Sequence, residues 1–131
     1  MRHTALAIFA HPDDIEYFGA GTLLLLKQAG FDIHYFNLST GSCGSVEMGP
    51  EETRRVRLAE AQAAAGILGA YFHPPIRDDL EIFYDLPTLR QVAGVVRQVK
   101  PSIIPDECVQ DRHRPLFNLR ISGRRNHFFC N

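Results

Sequence analysis

Three side chains that can bind a metal lie within four positions near the start of this 131-residue chain. They are His11, Asp13 and Asp14, and Pro12 separates the first two. A divalent metal such as zinc accepts one imidazole and one carboxylate readily, and catalytic zinc usually has three protein ligands and a water. His11 and Asp14 could therefore supply two ligands. Asp13 would then be the spare carboxylate, able to act as a general base on the attacking water.

The same residues allow other interpretations. Asp13 or Asp14 could cap the following helix, with His11 as an ordinary loop histidine. Acidic pairs after a first strand also hold magnesium in phosphoryl-transfer folds. Gly19 and Gly21 suggest a dinucleotide-binding loop only weakly, because the third glycine of that motif is missing at the required spacing. Spacing alone leaves the metal site and the helix cap both open.

The elements around these residues predict how they are presented. Residues 5–10 form a continuous apolar run, which is typical of a strand buried on both faces. Residues 19–29 predict a helix that Gly30 ends. Residues 11–16 are therefore predicted to form a strand-to-helix loop at the carboxyl end of a parallel strand. Open α/β sheets bind their ligands at that position.

The rest of the chain alternates between strand and helix patterns. Further strands are predicted at 31–38, 70–72 and 102–104, and helices at 51–68 and 86–100. The apolar face of the helix at 51–68 is predicted to carry Val56, Ala59, Ala63 and Ile67, with Ala64 and Leu68 beside them. Pro105 is expected to end the last strand. This alternation predicts an α/β fold, with a parallel sheet, helices on both faces and right-handed crossovers.

Composition excludes several classes of protein. Residues 1–111 contain nine Lys or Arg and all fifteen Asp or Glu, whereas residues 112–131 contain five Arg and no acid. The basic tail carries no nucleic-acid recognition motif, so we expect no nucleic-acid partner. No apolar run is long enough to span a bilayer and the N-terminus lacks a signal-peptide pattern, so we expect a cytoplasmic protein without a membrane partner. The three widely spaced cysteines exclude a clustered cysteine zinc site, and we expect free thiols and not a disulfide framework.

Residues 10–16, followed by 19–23, resemble the signature of the PIG-L/LmbE-like zinc-dependent de-N-acetylases. Similar segments follow in the same order: the hydroxyl-rich loop at 40–45, the helix start at 50–52, residues 67–69 and the acidic loop at 78–81. The resemblance extends from Leu6 to His113. We therefore predict a partial domain of this kind over residues 1–113 and an atypical basic tail over residues 114–131.

The resemblance implies a Rossmann-like three-layer sandwich that removes an N-acetyl group from a small-molecule conjugate of N-acetylglucosamine type. It implies that His11 and Asp14 bind Zn²⁺ and that Asp13 is the general base. It also implies that His113, which resembles the first histidine of a later His-Pro-Asp-His motif, helps to stabilise the oxyanion. Arg54 and Arg57 are candidates for substrate binding, and the alternative for both is a solvated helix face.

The chain departs from the family at the third zinc ligand, because Leu116 stands where the last histidine of that motif belongs. Three hypotheses compete: His113 supplies the ligand, His127 supplies it from the tail, or the site is lost. We expect a C-terminally truncated or frame-shifted product, and enzymatic activity stays open against a non-catalytic remnant or a sugar-binding module. Exposed apolar surface at the sheet edge would favour a homo-oligomer.

Overall fold

A five-stranded sheet forms the centre of the molecule. The computed structural model describes residues 3–108 and 116–121, so the proposed roles of His113 and His127 lie outside the described residues. The strands are β1 (Thr4–Phe9), β2 (Asp32–Asn37), β3 (Tyr71–His73), β4 (Ile103–Cys108) and β5 (Leu116–Ile121). The helices are α1 (Ala20–Gln28), α2 (Pro50–Leu68) and α3 (Leu86–Val99), and a π-helical segment (Ile15–Gly19) precedes α1.

The strand order is β3-β2-β1-β4-β5, and every pair is parallel except β4 with β5. β1 lies between β2 and β4, and the direction in which the chain adds strands reverses at β1. In open α/β sheets this reversal opens a crevice at the carboxyl ends of the strands, where ligands bind. The predicted α/β fold with a mostly parallel sheet is confirmed. β5 lies within the segment predicted as a basic tail, where the sequence follows neither the helix nor the strand period and so gives no secondary-structure assignment.

β1 is the buried strand that its apolar run predicts. Ala5, Ala7 and Phe9 point to one face of the sheet, where they pack in a single cluster with residues of α1 and α2. Leu6 belongs to the opposite face and is also fully buried. A right-handed crossover from β3 to β4 places α3 on that opposite face. The result is a three-layer arrangement in which β1 is held rigidly from both sides.

The predicted buried face of α2 was wrong in part: Ala64 and Leu68 pack against the core, whereas Ala59, Ala63 and Ile67 are exposed. Ile67 is 90% exposed, whereas Ala61 and Ala65 are 3% and 1% exposed and face the sheet. Small side chains allow the helix backbone to approach the strands closely, so the alanines fill the interface and the larger isoleucine lies outside it. The buried face of α2 therefore runs along Ala61, Ala64, Ala65 and Leu68, and the prediction placed it too far toward Ile67.

The predicted end of the last strand at Pro105 was also wrong. β4 continues through Pro105 to Cys108, and its parallel pairing with β1 is present on both sides of the proline, at Ala5↔Ile103 and Ile8↔Asp106. Proline removes one backbone donor from the ladder but leaves an extended backbone. Pairing to β5 on the other side of β4 supports the strand across this position.

Several large apolar side chains remain exposed near the start of α3. Leu86 is 57% exposed and Leu89 is 41% exposed, and Phe83 and Tyr84 before the helix are more exposed still. In the part of the chain that the structure describes, no helix combines the length and the apolar character needed to cross a membrane. The homo-oligomer expected from exposed apolar surface stays a prediction.

Candidate metal and catalytic site

The loop after β1 turns sharply at Asp13. Asp13 has a φ of 81°, which is the left-handed region that few residues other than glycine adopt, although aspartate is enriched there. The carbonyl of Asp13 accepts a hydrogen bond from the N–H of Tyr17 at 2.9 Å, so the turn leads directly into the following helical segment. Backbone strain of this kind costs about 1–3 kcal/mol and is concentrated at functional sites.

The loop is shorter than predicted, because Ile15 and Glu16 already belong to the π-helical segment. Ile15 is buried in the main core, and the Glu16 carboxylate accepts a hydrogen bond from the Tyr35 hydroxyl at 2.7 Å. Burial and this carboxylate raise the pKa of Tyr35, so its hydroxyl stays protonated and donating at neutral pH. These two contacts fix the residues that follow Asp14 onto β2 and the core.

His11 and Asp14 converge. The Nδ1 atom of His11 lies 3.4 Å from Oδ2 of Asp14, and the same oxygen accepts a hydrogen bond from the backbone N–H of His11 at 2.9 Å. A tetrahedral zinc with ligands at 2.0–2.1 Å separates neighbouring donor atoms by about 3.3 Å. The two side chains therefore fit two corners of such a site. Within residues 3–106, whose side chains the structure describes, no group of three or more metal-binding side chains occurs.

Arg57 reaches the same loop from α2. Its Nη1 atom lies 3.2 Å from Oδ2 of Asp13 and 3.3 Å from Oε2 of Glu60. Gly41 lies against both Arg57 and the loop after β1, since an added Cβ would be 3.0 Å from Cγ of Arg57 and 3.1 Å from Cγ of Pro12. The structure thus brings Arg57 beside Asp13, as the sequence could not show.

Arg54 has a different environment. Its guanidinium forms a paired contact with the Asp78 carboxylate, with Nε to Oδ1 at 3.0 Å, and also contacts Glu51. Asp78 accepts a further hydrogen bond from the Thr40 hydroxyl at 2.7 Å. Arg54 and Thr40 together hold the pKa of the Asp78 carboxyl below its usual range. The role of Arg54 in substrate binding stays a prediction, and its observed contacts tie α2 to the loop after β3.

Asp79 anchors the hydroxyl-rich loop and was not singled out from the sequence. Its two carboxylate oxygens accept hydrogen bonds from the backbone N–H groups of Gly41 at 2.8 Å and Cys43 at 2.9 Å. Gly41 has a φ of 75°, so this loop is held in a tight turn against Pro12. The signal that could have revealed this role is the acidic pair Asp78 and Asp79 after β3. The parallel strands β2 and β3 end at the same edge of the sheet, so the loops that follow them lie side by side.

Replacing Asp79 by asparagine should loosen this loop. An amide keeps one acceptor but presents an NH₂ group to the second backbone N–H, which then loses its partner. Hydrogen bonds to a charged group contribute about 1.5–3 kcal/mol, so amide exchange at Gly41 and Cys43 should accelerate by at least about tenfold. Exposed Glu81 provides the matched control, Glu81→Gln. Unchanged exchange at both amides in Asp79→Asn would contradict the anchoring role.

Comparison with known proteins places the chain in a family. Residues 6–114 match the PIG-L family model, described as GlcNAc-PI de-N-acetylase. The chain is 32% identical over 102 residues to the diacetylchitobiose deacetylase of Thermococcus kodakarensis, which covers 76% of this chain and 38% of that protein.

Solved structures show the same fold. The 4-carboxy-2-hydroxymuconate hydratase GalB of Pseudomonas putida superposes with a TM-score of 0.74 at 30% identity, covering 85% of this chain and 49% of that one. The N,N'-diacetylchitobiose deacetylase of Pyrococcus horikoshii superposes with a TM-score of 0.72 at 23% identity, covering 77% and 39%. The chain spans less than half the length of these relatives. On the family match over residues 6–114, the chain belongs to the PIG-L family of GlcNAc-PI de-N-acetylases.

Proposed function

We propose that this chain provides the residues of a zinc-dependent hydrolase that removes the N-acetyl group from a small-molecule conjugate of N-acetylglucosamine type. The observation that supports this most is the convergence of His11 and Asp14, with 3.4 Å between Nδ1 and Oδ2, at the carboxyl end of the central strand. Asp13 lies in the same turn, so a second carboxylate is available beside the two donors. The deacetylase relatives support the acetamide as the bond that is cleaved.

When bound, zinc would polarise the acetamide carbonyl and make water a better nucleophile near neutral pH. The chain's own residues would do the rest. Asp13 would take the proton from the attacking water through its carboxylate and later return it to the leaving amine. The contact from Arg57 Nη1 to Asp13 Oδ2 would hold that carboxylate in one orientation. Gly41 packs on both Pro12 and Arg57, and this packing would keep the Arg57 guanidinium next to the Asp13 carboxylate.

The two arginines would then differ in role. Arg57 is 29% exposed at the site and has further donors with which to bind a sugar hydroxyl. Arg54 already contacts Asp78 and Glu51. It would therefore support substrate binding indirectly, by holding Asp78, which in turn accepts a hydrogen bond from Thr40 at the start of the hydroxyl-rich loop. His113, outside the described residues, keeps its proposed role at the oxyanion.

A second candidate function is hydration of a carbon–carbon double bond. The similarity to GalB, at 30% identity and a TM-score of 0.74, favours it. A general base that activates water beside a metal would suit either reaction. The third possibility is a sugar-binding chain without turnover, since Leu116 occupies the position of the third family ligand.

One experiment separates these possibilities. The full chain, reconstituted with Zn²⁺, is incubated with N,N'-diacetylchitobiose, and primary amine and acetate are measured together. We expect both products in equal amounts, their loss in Asp14→Asn and their retention in Glu47→Gln, which removes an exposed carboxylate outside the site. 4-Carboxy-2-hydroxymuconate, the unsaturated hydroxy-tricarboxylate named for GalB, is tested in parallel by loss of absorbance. Turnover of that probe alone would support the hydratase, and binding without any turnover would support the non-catalytic chain.

A further inference from the structure

Two histidines outside the candidate site form a close pair across neighbouring strands. Nδ1 of His34 on β2 lies 2.8 Å from Nε2 of His73 on β3, which is hydrogen-bonding distance. The two imidazole rings stack with 5.1 Å between their centroids. Tyr71 stacks on His34 at 4.8 Å, and Phe36 meets His73 edge-on at 5.9 Å. Aromatic rings thus flank this half-buried pair, and neither histidine takes part in the proposed chemistry.

This contact tolerates only one proton between the facing nitrogens. A neutral imidazole has one N–H donor and one acceptor nitrogen, whereas a protonated imidazole has donors only. If both rings were protonated, two donors and two positive charges would face each other at 2.8 Å. Doubly protonated imidazoles therefore cannot keep the observed hydrogen bond.

The surroundings of the pair favour the neutral forms. Burial lowers the pKa of His34 and of His73, and the charge of His73 lowers the pKa of His34 further. Asp32, on the same strand as His34, acts in the opposite direction but does not outweigh burial. Among the residues whose side chains the structure describes, the phenol of Tyr71 on β3 is the other titratable group in ring contact with the pair.

We propose that His34 and His73 form a pH-sensitive clasp that fastens the edge strand β3 to β2 and opens when both imidazoles are protonated. β3 is only three residues long and pairs with β2 alone among the described strands, so the side-chain hydrogen bond reinforces a short backbone ladder. This inference does not depend on the proposed hydrolase activity.

Opening the clasp would affect the candidate site because the segment after β3 holds the hydroxyl-rich loop. The carbonyl of Arg77 accepts a hydrogen bond from the N–H of Thr40, and the N–H of Arg77 donates to the carbonyl of Leu38. Asp79 follows two residues later and anchors Gly41 and Cys43. Acidification should therefore loosen the hydroxyl-rich loop that lies on Pro12 and Arg57.

The direction of the pH effect follows from proton linkage. Because the pKa values of both histidines are lowered in the folded state, the unfolded chain binds more protons below the ordinary histidine pKa of 6.5. Stability therefore increases with pH through this window. The full contribution is present above about pH 7 and is lost progressively as the pH falls below about 6.5.

Thermal unfolding of the full chain at pH 7.5 and pH 5.5 tests the clasp. We expect the unfolding midpoint of the wild type to fall by at least about 3 °C more than that of the His34→Gln/His73→Gln variant. His3→Gln, which removes an exposed histidine, serves as the matched control and should keep the wild-type difference. Amide protection factors in residues 71–79, which correct for the slower intrinsic exchange at lower pH, should fall at pH 5.5 in the wild type and in the control only. An equal fall in midpoint for the double variant would overturn the proposal.

NMR titration of the wild-type imidazoles gives a readout that does not need the double variant to fold. Both His34 and His73 should titrate below the ordinary histidine pKa of 6.5. In the single variant His73→Gln, the pKa of His34 should rise, because the opposing imidazolium charge is gone. Titration of either wild-type imidazole at or above 6.5 would overturn the clasp.

Discussion

Replacing Asp14 by asparagine is expected to abolish zinc retention while the loop stays folded. Oδ2 of Asp14 accepts the hydrogen bond from the His11 N–H at 2.9 Å, and the amide oxygen of asparagine can take over this bond. The amide cannot supply the negative charge that a divalent cation requires from its carboxylate ligand. Loss of a group that only supports a ligand costs about 10–100-fold in metal affinity, so loss of the ligand itself should cost at least about 100-fold.

Zinc content per chain after reconstitution and dialysis measures this effect, with Glu47→Gln as the control. The wild type and the control should retain close to one zinc per chain, and Asp14→Asn should retain almost none. Equal retention in all three would show that zinc binds elsewhere on the chain. No retention in any of them would support the hypothesis of a lost site, because two donors without a third give too weak a complex.

Replacing Asp13 by asparagine is expected to reduce kcat by about 10²–10⁴-fold while zinc content stays unchanged. Asparagine is the informative substitution, because it tolerates the φ of 81° at this position and its oxygen can still contact Arg57. The substitution removes the basic carboxylate and its charge, while the backbone turn and one acceptor oxygen stay. A fall in zinc content parallel to that of Asp14→Asn would instead assign Asp13 to the metal.

The measurement is acetate release from N,N'-diacetylchitobiose over a range of substrate concentrations. If Asp13 is the base, kcat falls and KM changes little, since the substrate does not depend on this carboxylate for binding. A variant with wild-type kcat would exclude Asp13 as the base. Glu60→Gln, which alters the other carboxylate on Arg57, reports how far the arginine itself contributes.

The sequence was most informative where one physical effect dominates. The apolar run before His11 predicts a strand buried on both faces, and β1 occupies the centre of the sheet. The close spacing of His11 and Asp14 predicts that their donor atoms can meet, and they do at 3.4 Å. Local spacing was enough here because the turn is made by neighbouring residues.

Features that depend on distant residues were not predictable. The contact of Arg57 with Asp13 depends on how α2 lies on the sheet, and Ile67 was wrongly placed on the buried face of α2 because the smaller Ala61 and Ala65 pack closest to the sheet. The anchoring of Gly41 by Asp79 joins loops 38 positions apart. β4 crosses Pro105 because strands flank it on both sides, which no local rule for proline includes.

The backbone at Asp13 also limits which acids could replace it. A glutamate would keep the charge and the basicity, but the left-handed conformation at a φ of 81° disfavours longer side chains that cannot bond locally to the turn. Its additional methylene would also move the carboxylate relative to Arg57. The shape of the turn, and not acid–base chemistry alone, thus selects aspartate. In related sequences that carry an acid at position 13, aspartate should therefore be far more frequent than glutamate.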